Sequence, residues 1–210
     1  MKNEKIAALI PVAGLSGRMG EFKPLLQLGG KTLIENSVQS VLSGGAETVV
    51  VVTGYRADEV EQVLAKAYGD RVRFVRNNEY EQSDMMYSVK LGVSALPPCD
   101  AFFLVPGDMP LISKSTFFKL LSEREYFSDG VLIPTTEGRQ THPPLIDAKM
   151  IPVILAFRGD GGLRHLWKQT SDRIRQVPVE DKGAEIDVDT PRDYQECKLV
   201  YHDIHHRKGE

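Results

Sequence analysis

The chain reads as a three-layer α/β fold built on a mostly parallel, mixed sheet, and three observations predict it. Short apolar runs alternate along the sequence with stretches of helical period. Several of the runs are apolar at consecutive positions, as strands covered on both faces are. The glycine-rich, basic and acidic segments all follow strands, and open α/β sheets bind ligands outside the carboxyl ends of their strands.

Residues 6–12, 48–53, 72–75, 101–105 and 130–134 read as strands. Between the first two, Leu33, Ile34, Val38, Val41 and Leu42 keep helical spacing, and Gly44-Gly45 supplies the stop. Asp58 can cap a helix carrying Val60, Val63, Leu64 and Ala67, and Ser83 or Asp84 can cap one carrying Met85, Met86, Val89, Val93 and Leu96. A helix over 115–124 follows the fourth strand. Beyond residue 130 the rhythm loosens into a proline-rich stretch at 141–145, a helix near 149–157, a glycine-rich turn at 159–162 and strands near 175–179 and 185–188. With no linker, repeat or low-complexity tract, the expectation is a single domain over 1–210. Its first part runs to about residue 130 and its second covers about 131–190. A C-terminal helix over about 191–205 ends in the solvated residues His202, His205 and His206.

Composition narrows the function. The 210 residues carry 26 basic and 29 acidic side chains, a net charge of −3, so the basic footprint of a nucleic-acid binder is missing. Cys99 and Cys197 are too few for a disulfide scaffold or a four-ligand zinc site and read as small buried hydrophobes in a reducing compartment. No apolar run is long enough to cross a bilayer. The apolar N-terminal stretch contains Pro11 and runs directly into a basic glycine-rich loop, which suits a buried strand better than a secretion signal. A cytoplasmic protein is expected.

The loop after the first strand is the most informative segment. Gly14, Gly17 and Gly20 let backbone N–H groups turn toward an anion, Ser16 offers a hydroxyl, and Arg18 and Lys23 add two cations, which together make a cradle for a triphosphate. The glycine spacing is not that of a dinucleotide fingerprint. Gly30-Lys31-Thr32 is no Walker loop either, because its first glycine would fall at Leu25. The fourth strand is followed by Gly107-Asp108-Met109-Pro110, where Asp108 can hold Mg²⁺ through one carboxylate while phosphates and waters complete the shell. Near the other end, Asp187 and Asp189 share a face if 186–188 is extended, and two such carboxylates call for a cation. Alternatively Asp189 or Thr190 caps the helix begun by Pro191, with Asp193 in its first turn.

The pattern A-G-x-S-x-R-M-G-x-x-K-x-L-L, matched from Ala13 to Leu26, resembles the nucleotidyltransferases that activate molybdopterin, in particular their molybdenum cofactor cytidylyltransferase branch. Gly107-Asp108-Met109-Pro110 and the D-x-D-T-P-x-D run from Asp187 to Asp193 resemble that family's two acidic motifs. The resemblance implies a Rossmann-like nucleotidyltransferase fold. Asp108, Asp187 and Asp189 would hold Mg²⁺, and Arg18, Lys23 and Asp108 would be the catalytic groups. The nucleotide would be bound by Ala13, Gly14, Leu15, Ser16, Gly17, Arg18, Met19, Gly20 and Lys23 of the loop, with Thr53, Gly54, Asn77 and Ser88 around the base. The related guanylyltransferase branch has a second glycine where Ala13 stands, which favours CTP over GTP. His142 and Arg164 match family positions near the second substrate. The implied reaction is transfer of CMP from CTP to a phosphate-bearing pterin with release of pyrophosphate, the product passing to a molybdoenzyme. A sugar or other alcohol phosphate as acceptor, and a non-catalytic nucleotide-binding module, are the competing readings.

Overall fold

The structure, a computed structural model, describes residues 4–17 and 19–206, with side chains to residue 204. Arg18 therefore lies outside the described residues, as do the side chains of His205 and His206.

The first half is built from regular crossovers. Strand β1 (Ile6–Pro11) leads through a two-stranded hairpin, β2 (Gln27–Leu28) and β3 (Lys31–Thr32), into helix α1 (Leu33–Ser43). There follow β4 (Thr48–Thr53), α2 (Ala57–Tyr68), β5 (Val72–Arg76), α3 (Met85–Ser94), β6 (Ala101–Leu104) and α4 (Lys114–Arg124). The second half holds β7 (Val131–Thr136), β8 (Arg139–Gln140), β9 (Leu145–Asp147), α5 (Ile151–Ala156), α6 (Gly162–Gln169), β10 (Ile174–Pro178) and α7 (Pro191–His206). The main sheet runs β5-β4-β1-β6-β9-β7-β10, with β8 on β7. Pairs β5–β4, β4–β1, β1–β6 and β7–β10 are parallel, whereas β9 is antiparallel to both its neighbours and β8 to β7. Mixed but mostly parallel, the sheet matches the sequence expectation.

Alternate residues of β1 feed two core layers, the reason that strand is apolar at every position. Ile6, Ala8 and Ile10 pack against Val38 and Val41 of α1, Leu64 of α2 and Phe117 of α4. Ala7 and Leu9 face Val89 and Val93 of α3 and Ile154 of α5. Gly92 is the closest point of that second contact: a Cβ there would overlap the side chain of Leu9. A third cluster seats α7, with Met19, Leu28, Leu33 and Leu111 around Ile186, Val188 and Cys197. Cys197 is buried as expected but Cys99 is only half-buried; burial pushes the thiol pKa up to about 12 at Cys197 and about 11 at Cys99. Among the described residues no helix is long and apolar enough to cross a membrane.

Local chemistry explains the boundaries. Thr32 and Glu35 form a capping box at the start of α1, the Thr32 N–H donating to the Glu35 carboxylate at 2.7 Å. Of the two candidate caps for α3, Asp84 is the one used, accepting the Tyr87 N–H at 2.8 Å. Asp58 lies inside the first turn of α2, which begins after Arg56 in a left-handed conformation (φ 52°). The expected strand over 185–188 is absent. A 3-10 turn spans Lys182–Glu185, and the extended segment after it bonds to a loop instead of a sheet edge: the Val188 N–H donates to the Asp108 carbonyl at 3.1 Å.

Candidate active site

Chain order positions the site. From β1 the chain moves outward to β4 and β5, then returns over α3 to β6 on the other side of β1. Crossovers leaving in opposite directions open a crevice at the carboxyl ends of β1 and β6. The glycine-rich loop leaves β1 on one wall, and Gly107-Asp108 leaves β6 on the other. A Cβ at Gly107 would overlap the Val12 side chain, so only glycine lets the two loops approach this closely. The buried Ser37 of α1 fixes that approach by donating to the Gly107 carbonyl at 3.1 Å.

The first loop is folded back on itself. Ser16 adopts φ 57°, its carbonyl accepts the Met19 N–H at 3.0 Å, and its hydroxyl oxygen accepts the Lys23 N–H at 3.2 Å. A Cβ at Gly14 or Gly17 would meet no protein atom within 4 Å. Packing does not demand glycine at either position; close approach of a ligand to the backbone would.

The late segment reaches the same crevice because three hydrogen bonds steer it. Asp181 accepts from the Ser113 N–H at 2.9 Å and the Thr116 hydroxyl at 2.7 Å, which ties the segment to the start of α4. The Val188–Asp108 backbone bond is the third. Burial alternates from Ile186 to Asp189, so Asp187 and Asp189 share the outward face without belonging to a strand. Thr190, not Asp189, caps α7: its hydroxyl accepts the Asp193 N–H at 3.3 Å and donates to the Asp193 carboxylate at 2.8 Å. That leaves the Asp189 carboxylate for the crevice.

One oxygen each from Asp108, Asp187 and Asp189 lie within 4.8 Å of one another. The Lys23 ammonium sits 2.8 Å from Asp108 Oδ2 and 2.8 Å from Asp189 Oδ1. Burial works against its charge, but the two carboxylates outweigh it and hold the lysine pKa above its usual value. Three carboxylates this close together, two of them already bonded to one cation, are a donor set that a divalent metal takes.

Of these groups Lys23, Asp108 and Asp189 line a cleft of about 300 Å³, and Asp187 is exposed. Ala13, Gly14, Ser16, Gly17, Lys23, Asp108 and Asp189 line one end, and Asn77, Tyr80, Ser83, Asp84, Met85 and Ser88 line the other. Other expected residues lie elsewhere. Leu15 and Gly20 line a cavity on the outer side of the loop, and Met19 is buried beneath α7. Thr53 is buried, its hydroxyl donating to Glu61 at 2.7 Å. Gly54 makes room for Ala13 and Tyr80, either of which a Cβ there would strike.

His142 and Arg164, distant in sequence, line a second cleft of about 610 Å³ with Gln140, Trp167, Lys168 and Gln176. Two successive left-handed glycines, Gly161 (φ 84°) and Gly162 (φ 59°), turn the chain into α6 and set Arg164 and Trp167 in its first turns. Among the described residues the buried His142 Nδ1 has no hydrogen-bond partner. Burial lowers its pKa, against the opposing pull of the Leu104 carbonyl and the Asp108 charge. The sequence reading missed Ser37, Ser83, Trp167 and Lys168. The sequence marks Trp167 only weakly: Lys168 follows it and Arg164 lies one turn earlier, on a helix opened by glycines.

Fold and site together define an α/β nucleotidyltransferase. The chain belongs to the MobA-like NTP transferase domain family, whose model matches residues 8–174. The molybdenum cofactor cytidylyltransferase of Escherichia coli (strain K12) is 29% identical over 199 residues, covering 95% of this chain and 98% of that one. Nicotine blue oxidoreductase of Paenarthrobacter nicotinovorans is 29% identical over 192 residues, covering 88% and 92%. Among solved structures, a nucleotidyl transferase from Methanothermobacter thermautotroptrophicus superposes with a TM-score of 0.81 at 29% identity, covering 96% of this chain and 99% of that one.

Proposed function

We propose that the protein transfers CMP from CTP to a phosphate-bearing, pterin-type acceptor with release of pyrophosphate. The observation that carries this reading is the meeting of Asp108, Asp187 and Asp189 with Lys23 beneath the glycine loop. The triphosphate lies along the loop, its oxygens taking N–H groups near Gly14 and Gly17, and the base extends toward Asn77 and Ser88. The three aspartates would hold Mg²⁺, which would supply charge neutralisation at the phosphates. Lys23 moves from the carboxylates onto phosphate oxygens and offsets charge on the departing pyrophosphate. An acceptor phosphate oxygen forms the new bond to the α-phosphorus while the bond to the bridging oxygen breaks and pyrophosphate leaves with the electron pair. That nucleophile is ionised at neutral pH, so catalysis needs positioning and electrostatics but no general base.

The second cleft suits the acceptor: Trp167 offers a face for a flat heterocycle, and Arg164 and Lys168 offer cations for its phosphate. A sugar phosphate would use the cations but not the indole. Oxidoreduction, the activity in the name of one relative, gives no role to a cluster of three carboxylates with a lysine bonded to two of them. Pyrophosphate release measured with each of four nucleoside triphosphates, with and without a pterin phosphate, tests the proposal. Release that requires both CTP and the pterin is expected. Release from CTP with a sugar phosphate in place of the pterin, or with another nucleotide in preference to CTP, overturns it.

A further inference from the structure

The base end of the first cleft contains a hydrogen-bond network with a fixed direction. Asn77, buried at the end of β5, has its Oδ1 engaged by the Glu79 N–H at 2.9 Å. That bond decides which way round the amide lies, because a backbone N–H must face the oxygen. The Nδ2 group then lies 2.8 Å from Ser83 Oγ and 3.0 Å from Ser88 Oγ, one N–H for each serine. A hydroxyl that accepts in this way keeps its own proton to donate. Among the described residues neither hydroxyl proton has a protein acceptor, and both serines line the cleft. The amide thus turns two neighbouring hydroxyls, which by themselves could donate or accept, into a pair of donors.

We infer that Asn77 is a specificity-determining positioning residue that sets the polarity of Ser83 and Ser88, so that the nucleobase subsite selects a base with two adjacent acceptors. Cytosine offers O2 and an unprotonated N3. Uracil carries a proton on N3, and the pairing edge of guanine carries N–H donors, so each would point a donor at a donor. A mismatch of that kind leaves buried polar groups unpaired and rejects an analogue far more strongly than a missing methylene does. This inference rests on the proposed nucleotidyl transfer and deepens it, because it assigns the base preference to a group that need not touch the base. Ser83 becomes a base contact on equal terms with Ser88.

The test compares equilibrium binding of CTP and UTP, each with Mg²⁺, by competition against a fluorescent nucleotide. The native protein should prefer CTP by at least about tenfold, the size of one such mismatch. Asn77→Asp replaces the donor amide by an acceptor, turns both hydroxyls inward and leaves their lone pairs facing the cleft. The CTP/UTP ratio should then fall at least about tenfold because CTP loses both bonds, whereas UTP exchanges a clash at N3 for one at O2 and keeps its affinity; general loosening of the pocket would weaken both. Asn77→Ala frees both hydroxyls to rotate and should bring the ratio close to one. If the aspartate variant does not fold, Ser83→Ala and Ser88→Ala carry the test: loss of the hydroxyl facing N3 weakens CTP several-fold more than UTP, and loss of the one facing O2 weakens both alike. A ratio that stays unchanged in the folded variants, while the native protein still prefers CTP, overturns the inference and leaves the transferase reading standing. Native protein that binds neither nucleotide overturns both.

Discussion

The two clefts differ in how much of their geometry is already committed. In the first, Lys23 is held by two carboxylates and a serine oxygen, and Asn77 by two serines and a backbone N–H. In the second, the side chains of Gln140, Arg164, Lys168 and Gln176 make no hydrogen bond or ion pair among the described residues, and His142 Nδ1 has no partner. Topology accounts for part of the contrast. The first cleft sits where regular parallel crossovers diverge around β1, and the second where the short strands β8 and β9 reverse direction. A wired site needs little reorganisation and can stabilise charge as it develops. Long unpaired side chains lose rotamer freedom when a ligand orders them, which weakens binding but accommodates ligands of varied shape. One molecule thus combines a rigid reader with an adaptable one.

That contrast can be broken in four places. The largest effect belongs to Asp108→Ala, which should cut pyrophosphate release about a thousandfold or more while circular dichroism and the melting temperature stay near native. Continued release would remove the carboxylate cluster from the chemistry. Lys23→Ala should lower kcat/KM for the nucleotide about a hundredfold, read from initial rates over a CTP series. Arg164→Ala should raise the acceptor KM about tenfold and leave CTP binding unchanged; a loss of CTP affinity instead would erase the division of labour. The smallest effect is on stability. Burial holds the His142 pKa below its ordinary 6.5, so on acidification the unfolded chain takes up this proton before the folded one does. Unfolding free energy, followed by denaturant titration, should therefore decline as pH falls below about 6.5, and His142→Asn should flatten that decline.

Legibility in the sequence follows the same line. The strands around β1 announce themselves by consecutive apolar residues, and helix starts by side chains such as Asp84. The phosphate loop, Asp108 and the late aspartates could be singled out because charge and glycine at strand ends have few other uses. Thr53 misleads because a strand-end hydroxyl looks available until the fold buries it beside Glu61. Met19 misleads because α7, far away in the chain, covers it. The segment before α7 has the alternation of a strand, yet its backbone partner is a loop, and pairing of that kind leaves no periodic signal. Ser83 is legible as a candidate helix cap but not as a donor, because the direction of a hydroxyl depends on its neighbour, which spacing does not encode. In the second cleft Trp167 keeps helical register with Leu163 and reads as core, and part of it is packed there.

Lys23 and Asp189 are separated by 166 positions, yet they share one hydrogen bond. At ordinary rates of translation roughly ten to thirty seconds separate their emergence from the ribosome. Throughout that interval a growing chain owns the glycine loop and Lys23 but only part of its acid cluster. Only after residues 187–189 have emerged can Asp108, Asp187 and Asp189 come together as one cluster.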